Sequence, residues 1–577
     1  MVAEKFLFIY LLCISMVGDL MNYEKSNILL LLEEKTGVYG DRVALGIKTA
    51  LGWKEFTYKG IGLLSRKLAN YLIEDIQVKK GDRLAILSES KPEYGACVFA
   101  SIMAGMVTVP LDIKLTKYEL KSILSDCLPT VILVSQDYIE KALELQKEIH
   151  SIKHIIVIDE PTYNLNLPCL YTLPNRYEGK WRHRSSKATA FIIYTSGTTG
   201  APKGVEISFR NMLAQLNDIE LVLPRFFDPN EGVSVLSILP MNHLFELTVG
   251  FSAFMYIGLS VYYTQSLKPK DILSIMREKG IQFMIVVPAF LKLLKAGIET
   301  EINNGPKIKK TIFNIMYKIA KHTPSYRFRK LLFKKIHDKF GGKFSGCVAG
   351  GAPLDSAVGE FFDTIGIKVY EGYGLSETSP VVSVNIDGVV SSVGKPLNSF
   401  ESKIDPNTDE IMLKGPAVMK GYYHQPELTS EVIDPDGWLH TGDMGKIDKK
   451  GNIFITGRIK NMIVLSGGKK VFPEEVESVL EKSHYFSEVC VLGVSRAGGT
   501  KDGTEDIAAV IVPKDDLLKK VPDDKELNRI VREEVKYLSK QLASYKRPIN
   551  IITQRDPLPK TTTRKIKRKD VKELIAG

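Results

Sequence analysis

Short β-branched apolar runs separated by helical patterns recur along this chain, and that rhythm limits the folds open to it more than any other feature. Between about residues 40 and 190 the runs LAILS, TVILVS and HIIVIDE alternate with segments such as LSRKLANYLI, where apolar residues return every three or four positions. Continuous apolar runs read as strands buried on both faces, and a helix between them returns the chain so that successive strands lie parallel. The pattern resumes after residue 230 with VSVLSILP and QFMIVVP. The fold class is therefore α/β, with a large N-terminal body of mostly parallel sheets flanked by helices. No repeat of the kind that builds solenoids is visible. From Gly457 the composition shifts to the charged, glycine-punctuated stretch GRIKNMIVLSGGKKVFPEEVE, followed by a compact α+β pattern that runs to residue 577. A chain of 577 residues exceeds what one core usually supports, so we place a body over 21–457 and a small C-terminal domain over 458–577.

Hydrophobic residues at 44% and charged residues at 25% describe an ordinary globular protein, which excludes a membrane-spanning bundle and a disordered chain. The net charge of +11 favours anionic partners such as nucleotides, coenzyme A or acidic lipid surfaces. It is not accompanied by aromatics interleaved on a basic face, so no nucleic-acid partner is expected. Cys13, Cys97, Cys127, Cys169, Cys347 and Cys490 form no CxxC pair and no metal-like cluster, which fits a reducing cytoplasmic setting. Residues 1–20 are an apolar extension whose run from Phe6 to Val17 is too short to span a bilayer. It reads either as an over-called start before Met21 or as a weak membrane anchor. Residues 296–343 interrupt the βα rhythm with apolar positions at helical spacing and a Lys/Arg-rich opposite face. That stretch is either a solvated pair of surface helices or a basic amphipathic element that rests on anionic lipid headgroups.

One segment carries chemistry on its own composition. Tyr194-Thr-Ser-Gly-Thr-Thr-Gly-Ala-Pro-Lys-Gly204 follows the apolar strand AFIIY and packs hydroxyls, glycines and one lysine into a short loop. Glycines let backbone N–H groups approach phosphate oxygens, hydroxyls donate further hydrogen bonds, and Lys203 adds a compact positive charge. A Walker A loop is excluded, because Lys203 is followed by Gly204 instead of Ser or Thr.

At this loop the chain resembles the adenylate-forming superfamily of acyl-CoA synthetases, luciferases and peptide-synthetase adenylation domains, and the likeness continues in order from about residue 25. The resemblance implies ATP bound by Thr195, Ser196, Gly197, Thr198, Thr199, Gly200 and Lys203. Gly350-Gly-Ala-Pro-Leu354 is similar to the family's adenine wall, through Gly351, Ala352 and Pro353. Tyr370-Glu-Gly-Tyr-Gly-Leu-Ser-Glu-Thr378 is similar to the family's YGxTE element, with Ser376 in the threonine position. It implies Tyr373 stacked on adenine, Glu371 near the exocyclic amine, Gly372 and Gly374 close to the nucleotide, and Mg²⁺ held by Glu377 with Thr195. The ribose would lie between Asp443 and Arg458, and His243 in PMNHLFEL would gate the carboxylate pocket. Pro559–Arg568 resembles the family's PKTxxGKIxR motif, which makes Lys565 the catalytic lysine; Arg564 stands where glycine is usual. Lys460 takes the hinge position of a mobile C-terminal domain, with Asn461 where aspartate is usual, and Ser466, Gly467 and Gly468 take the turn that admits coenzyme A. The implied activity is ATP-dependent ligation of a fatty acid to coenzyme A through an acyl-AMP. The resemblance is strongest to bacterial long-chain fatty acyl-CoA synthetases. Acyl carrier protein as acceptor, and a non-catalytic lipid- or nucleotide-binding relative, are the alternatives.

Overall fold

The computed structural model describes residues 34–161, 166–196, 202–227, 232–465, 469–495, 505–560 and 565–576. The apolar extension, the tip of the phosphate loop (Gly197 to Gly200) and the Ser466–Gly468 turn lie outside the described residues. The chain forms two compact units. One takes in the described residues up to Gly388 with Lys395–Glu401 and Lys414–Leu439; the other takes in Val389–Gly394, Ser402–Leu413 and the described residues from His440 onward.

In the first unit, LAILS, TVILVS and HIIVIDE become the strands Arg83–Leu87, Val131–Val134 and His154–Val157. Val107–Leu111 pairs parallel with the first of these, which pairs parallel with the second, and the second with the third. Among the described residues this sheet has seven strands, ending at the other side in Thr189–Ser196, Pro202–Ser208 and Gly421–Tyr422. The helix Tyr58–Asn70 contains most of LSRKLANYLI, and its first turn is closed by Thr57, whose side chain accepts from Gly60 N–H. A second sheet of nine described strands contains Ser234–Ser237, Phe283–Val286, Gly346–Ala349 and Lys368–Tyr373 among its members. These four lie parallel to their neighbours in that row, so the strand C-termini and the loops after them gather along one edge. That edge is where open α/β sheets ordinarily bind ligands.

Residues 296–343 fold into more pieces than a pair. The helix Pro288–Asn303 is followed by Lys307–Lys321, Tyr326–Leu332 and Lys334–Lys339. Pro306 and Pro324 supply no backbone N–H to extend the helix before them, and Ser325 starts the next by accepting from Phe328 N–H.

The second unit carries a small sheet whose alternation is readable in the strands themselves. Phe486–Ser495, Glu505–Pro513 and Asn550–Thr553 pair in that order. Val489, Val491, Ile507, Ala509 and Ile511 pack against Val531, Val535 and Leu538 of the helix Asp524–Ser539. Cys490, Leu492, Ala508, Val510 and Val512 point the other way, against Leu558 and Val571. Both faces are therefore covered, as the period-two rule requires.

Candidate active site

The phosphate-loop segment is a hairpin. Thr189–Ser196 runs antiparallel to Pro202–Ser208 with Thr195 opposite Lys203 and Ser196 opposite Pro202, so the glycine-rich turn projects from the end of two paired strands. Gly204 is required by packing: a Cβ there would lie 2.8 Å from Ile192 Cγ2. Lys203 Nζ sits 5.5 Å from the centre of the Tyr422 ring. The Tyr422 hydroxyl donates to Glu377 Oε1 at 2.8 Å. One tyrosine thus connects the phosphate-loop lysine with the carboxylate assigned to the metal. Burial, and then the charge of Glu377, push the Tyr422 phenol well above its ordinary value, so it stays a hydrogen-bond donor. The sequence reading missed Tyr422; the signal was Gly421-Tyr422, whose backbone pairs with Glu206 and Val205 just beyond the loop.

Glu377 lies in the single turn Ser376–Thr378, pinned by Thr378, whose hydroxyl accepts from Leu375 N–H at 2.9 Å. The Glu377 backbone carbonyl accepts from Met419 N–H at 2.8 Å. A hard cation such as Mg²⁺ is usually held by one or two carboxylates with the substrate's phosphates completing its shell. A half-buried carboxylate with one oxygen held by Tyr422 and the other without a printed protein donor among the described residues suits that arrangement.

The adenine-wall segment and the YGLSE segment meet. Glu371 Oε1 accepts from Leu354 N–H at 3.1 Å, tying the end of GGAPL to the strand Lys368–Tyr373. Burial raises the Glu371 pKa while the Leu354 bond works against that rise. Gly351 has φ +82° with open space where a Cβ would stand, which leaves the backbone accessible to a flat ring. Gly374 tolerates no side chain, because a Cβ would fall 1.7 Å from Pro380 O. An apolar cavity opens beside them. Gly350, Gly351, Gly372, Tyr373 and Gly374 form one part of its wall, and Ile219, Leu223, Phe226, Phe245, Val249, Phe254, Phe283 and Val348 line the rest. Phe245 packs 3.2 Å from the position of a Gly350 Cβ. His243, half-buried, stands two residues before Phe245 at the start of the helical segment that includes Glu246–Ala253, with its N–H on Pro240 O at 3.0 Å. It is not part of the cavity wall.

Within the second unit, Asp443 and Arg458 are opposite each other on the strands Leu439–Ile447 and Ile453–Arg458. Arg458 Nε donates to Asp443 Oδ1 at 2.6 Å, and its Nη2 reaches Oδ2 at 3.4 Å. The two residues assigned to opposite sides of a ribose are thus bound to each other, and the buried carboxylate keeps its remaining lone pairs for further donors. Glu410, also missed in the sequence, holds the preceding turn through Gly442 N–H at 2.7 Å and His440 Nδ1 at 2.9 Å. Lys565 lies in the electrostatic reach of Asp443, Arg458 and Lys460. Its ammonium is held below the ordinary lysine value by crowding first and then by the like charges of Arg458 and Lys460, with Asp443 opposing. The side chain as a whole is exposed, so the charged neighbours are the better-founded part of that shift. Lys565 follows the motif's tip, and Arg564 lies outside the described residues; Lys560 and Ile566 bridge across the loop, and Lys567 N–H bonds Pro559 O at 2.9 Å. Arg568 anchors the motif, its Nη2 on Glu477 Oε2 at 2.6 Å and on Glu474 Oε1 at 3.3 Å.

Lys460 sits in the turn Ile459–Asn461 that leaves the strand Ile453–Arg458. Asn461 Nδ2 donates to Glu474 Oε1 at 2.7 Å. An aspartate could not make that bond and would face Glu474 as a like charge, which gives the departure at 461 a local reason.

A family model described as AMP-binding enzyme matches residues 32–423, and a model described as AMP-binding enzyme C-terminal domain matches residues 475–565. A long-chain-fatty-acid–CoA ligase of Escherichia coli O6:H1 is 28% identical over 560 residues, 90% of each chain. A chloroplastic long-chain-fatty-acid–[acyl-carrier-protein] ligase of Arabidopsis thaliana is 29% identical over 453 residues, covering 66% of this chain and 60% of that one. Among solved structures, ATP-bound MatB from Rhodopseudomonas palustris superposes with a TM-score of 0.74 at 24% identity, covering 95% of this chain and 99% of that one. An o-succinylbenzoate CoA synthetase from Bacillus subtilis in complex with its acyl-adenylate superposes with a TM-score of 0.72 at 24% identity, covering 94% and 97%.

Proposed function

The chain belongs to the AMP-binding enzyme family, and from that premise we propose that it is an acid–thiol ligase acting on a long-chain fatty acid. In this reading the acid's carboxylate attacks the α-phosphate of ATP, diphosphate leaves, and the thiol of coenzyme A then takes the acyl group and releases AMP. The observation that carries the reading is the apolar cavity, whose wall includes the glycines of both nucleotide-like segments, Gly350 and Gly351 with Gly372 and Gly374. An aliphatic chain in that cavity would present its carboxyl end at a nucleotide's phosphates. The names of the relatives point the same way for the acid, and one of them takes acyl carrier protein as acceptor.

We assign Lys203 and the Thr195–Gly200 turn to the triphosphate, Tyr373 with Gly351–Pro353 to adenine, Asp443 and Arg458 to the ribose, and His243 to the mouth of the acid pocket. Bound Mg²⁺ would offset triphosphate charge, with Glu377 and Thr195 as its protein ligands. Tyr422 fixes the direction of the Glu377 carboxylate through its hydroxyl bond. Lys565 contributes a positive charge where charge develops during displacement at phosphorus. A shift at Lys460 would withdraw Lys565 after that step and bring the Ser466–Gly468 turn to the thiol, so residues 458–577 form the mobile domain in this scheme. No covalent enzyme nucleophile is needed, since positioning and electrostatics supply both steps.

The test is ATP–diphosphate exchange across saturated acids of increasing length, followed by acceptor assays with coenzyme A and with acyl carrier protein. Exchange should rise with chain length and acyl-CoA should form. Fastest exchange with acetate or with an aromatic or dicarboxylic acid would overturn the fatty-acid assignment, and acylation of the carrier protein alone would overturn the acceptor.

A further inference from the structure

The helix Lys307–Lys321 is unusual in having two apolar stripes. One, made of Phe313, Met316, Tyr317 and Ala320, packs into the core beneath it. The Phe313 ring meets Phe333 at 5.5 Å between centroids. The other is a row of isoleucines at positions 308, 312, 315 and 319, with 73%, 51%, 54% and 47% of their surface exposed. At 100° per residue these four fall within a sector of about 60°, adjoining the core-facing stripe on one side. The opposite flank carries Lys307, Lys310 and Lys318, all exposed.

Charge singles out the same segment. Residues 307–343 contain twelve lysines and arginines against one acidic residue, Asp338, a net +11 that equals the net charge of the whole chain. The remainder of the protein is neutral in sum, so the electrostatic field of this chain originates here. Some of these cations are engaged: Lys309 with Glu301 at 3.9 Å, Lys321 with Glu360 at 2.5 Å and Arg329 with Asp363 at 2.6 Å. Lys307, Lys310 and Lys318 have no ion-pair partner among the described residues.

We propose that the exposed Ile308–Ile319 stripe and its lysine flank are a docking surface for an anionic lipid membrane. Four aligned aliphatic side chains beside unpaired lysines match an interface with an apolar interior under anionic headgroups. A nucleic acid would meet the charge but offers nothing to the isoleucines, and a second copy of this chain would set two strongly positive faces against each other.

The surface serves as an anchor and not as a conduit. The strands Phe283–Val286 and Gly346–Ala349 separate it from the cavity: Phe283, Ile285 and Val348 line the cavity, while Met284, Val286, Cys347 and Ala349 face the cluster that supports the helix. Docking therefore raises the local concentration of the protein at a lipid surface without opening the cavity to it. The proposal rests on this face alone and is independent of which acid the cavity takes.

The test is co-sedimentation of the full chain with vesicles of phosphatidylcholine alone and of an equimolar mixture with phosphatidylglycerol. The full chain should partition onto the anionic vesicles and release with added salt. Lys307→Glu combined with Lys310→Glu and Lys318→Glu should weaken partitioning by at least about a hundredfold, since each lysine near such a surface is worth about fivefold. Ile312→Ser with Ile315→Ser should weaken it by at least about tenfold at an unchanged thermal midpoint. Equal binding to both vesicle types, no binding, or full binding by either variant would overturn the proposal. So would loss of self-association by the isoleucine variant with vesicle binding intact, or vesicle binding that depends only on residues 1–33.

Discussion

Glu246 offers a quantitative test of how dry the first unit is beside the cavity wall. Its side chain is fully buried three residues past His243. Ser237 Oγ donates to Oε1 at 2.6 Å, while Oε2 has no hydrogen-bond partner. Burial lifts the carboxyl from an ordinary 4.5 to about 8, against the smaller downward pull of Ser237. The native state then keeps its proton from pH 4.5 to 8, while the unfolded chain loses it at the lower end. The unfolded state binds fewer protons throughout that window, so this carboxyl makes stability fall as pH rises, at up to about 1.4 kcal/mol per unit. Above pH 8 both states are ionised and the loss is complete, at roughly 3 to 5 kcal/mol.

Glu246→Gln keeps the shape and an acceptor for Ser237 and cannot ionise. Any cost of burying the amide shifts stability equally at every pH, so the informative quantity is the difference between variant and parent as a function of pH. From pH 5 to pH 8 that difference should move by about 3 to 4 kcal/mol in favour of the glutamine. For a unit of roughly 420 residues the unfolding entropy converts about 1 kcal/mol into about 1 °C, so the midpoints should diverge by about 3 to 4 °C. Scanning calorimetry of both proteins at matched rates across that range reads it directly. A difference that stays constant with pH would show that Glu246 titrates near its ordinary value, and the picture of a dry, water-excluded wall would fail.

Lys565→Ala should lower diphosphate release from acid and ATP by about 10²- to 10³-fold while coenzyme A still consumes supplied acyl-AMP at near the parental rate; equal loss of both half-reactions in a folded protein would contradict the assignment. Tyr422→Phe removes the donor to Glu377 but keeps the ring beneath Lys203, and a hydrogen bond to a charged group is worth at least about tenfold. Adenylation should fall by that factor and the Mg²⁺ requirement should rise, with KM for the acid unchanged; an unaltered Mg²⁺ titration would remove Tyr422 from the metal's surroundings.

What the sequence could reveal follows from how locally each feature is encoded. LAILS and HIIVIDE state their burial in every residue, so their strands were legible, and the hairpin that presents Thr195 opposite Lys203 was implied by a strand running into glycines. The helical insertion was legible as amphipathic but not as two stripes on one helix. Separating Phe313, Met316 and Tyr317 from the isoleucines requires knowing which face the sheet covers, and that depends on Phe333 and Phe361 far along the chain. Tyr422 and Glu410 escaped for the same reason. Each acts on a predicted residue dozens of positions away, Glu377 in one case and Gly442 in the other, through a single hydrogen bond that no periodicity records. Asn461 shows the converse. Beside the family pattern it reads as a defect, and only the Glu474 carboxylate 2.7 Å from its amide turns it into a requirement of this chain's own interior. Motif positions are thus visible one residue at a time, whereas the groups that aim them become visible only when the chain is folded.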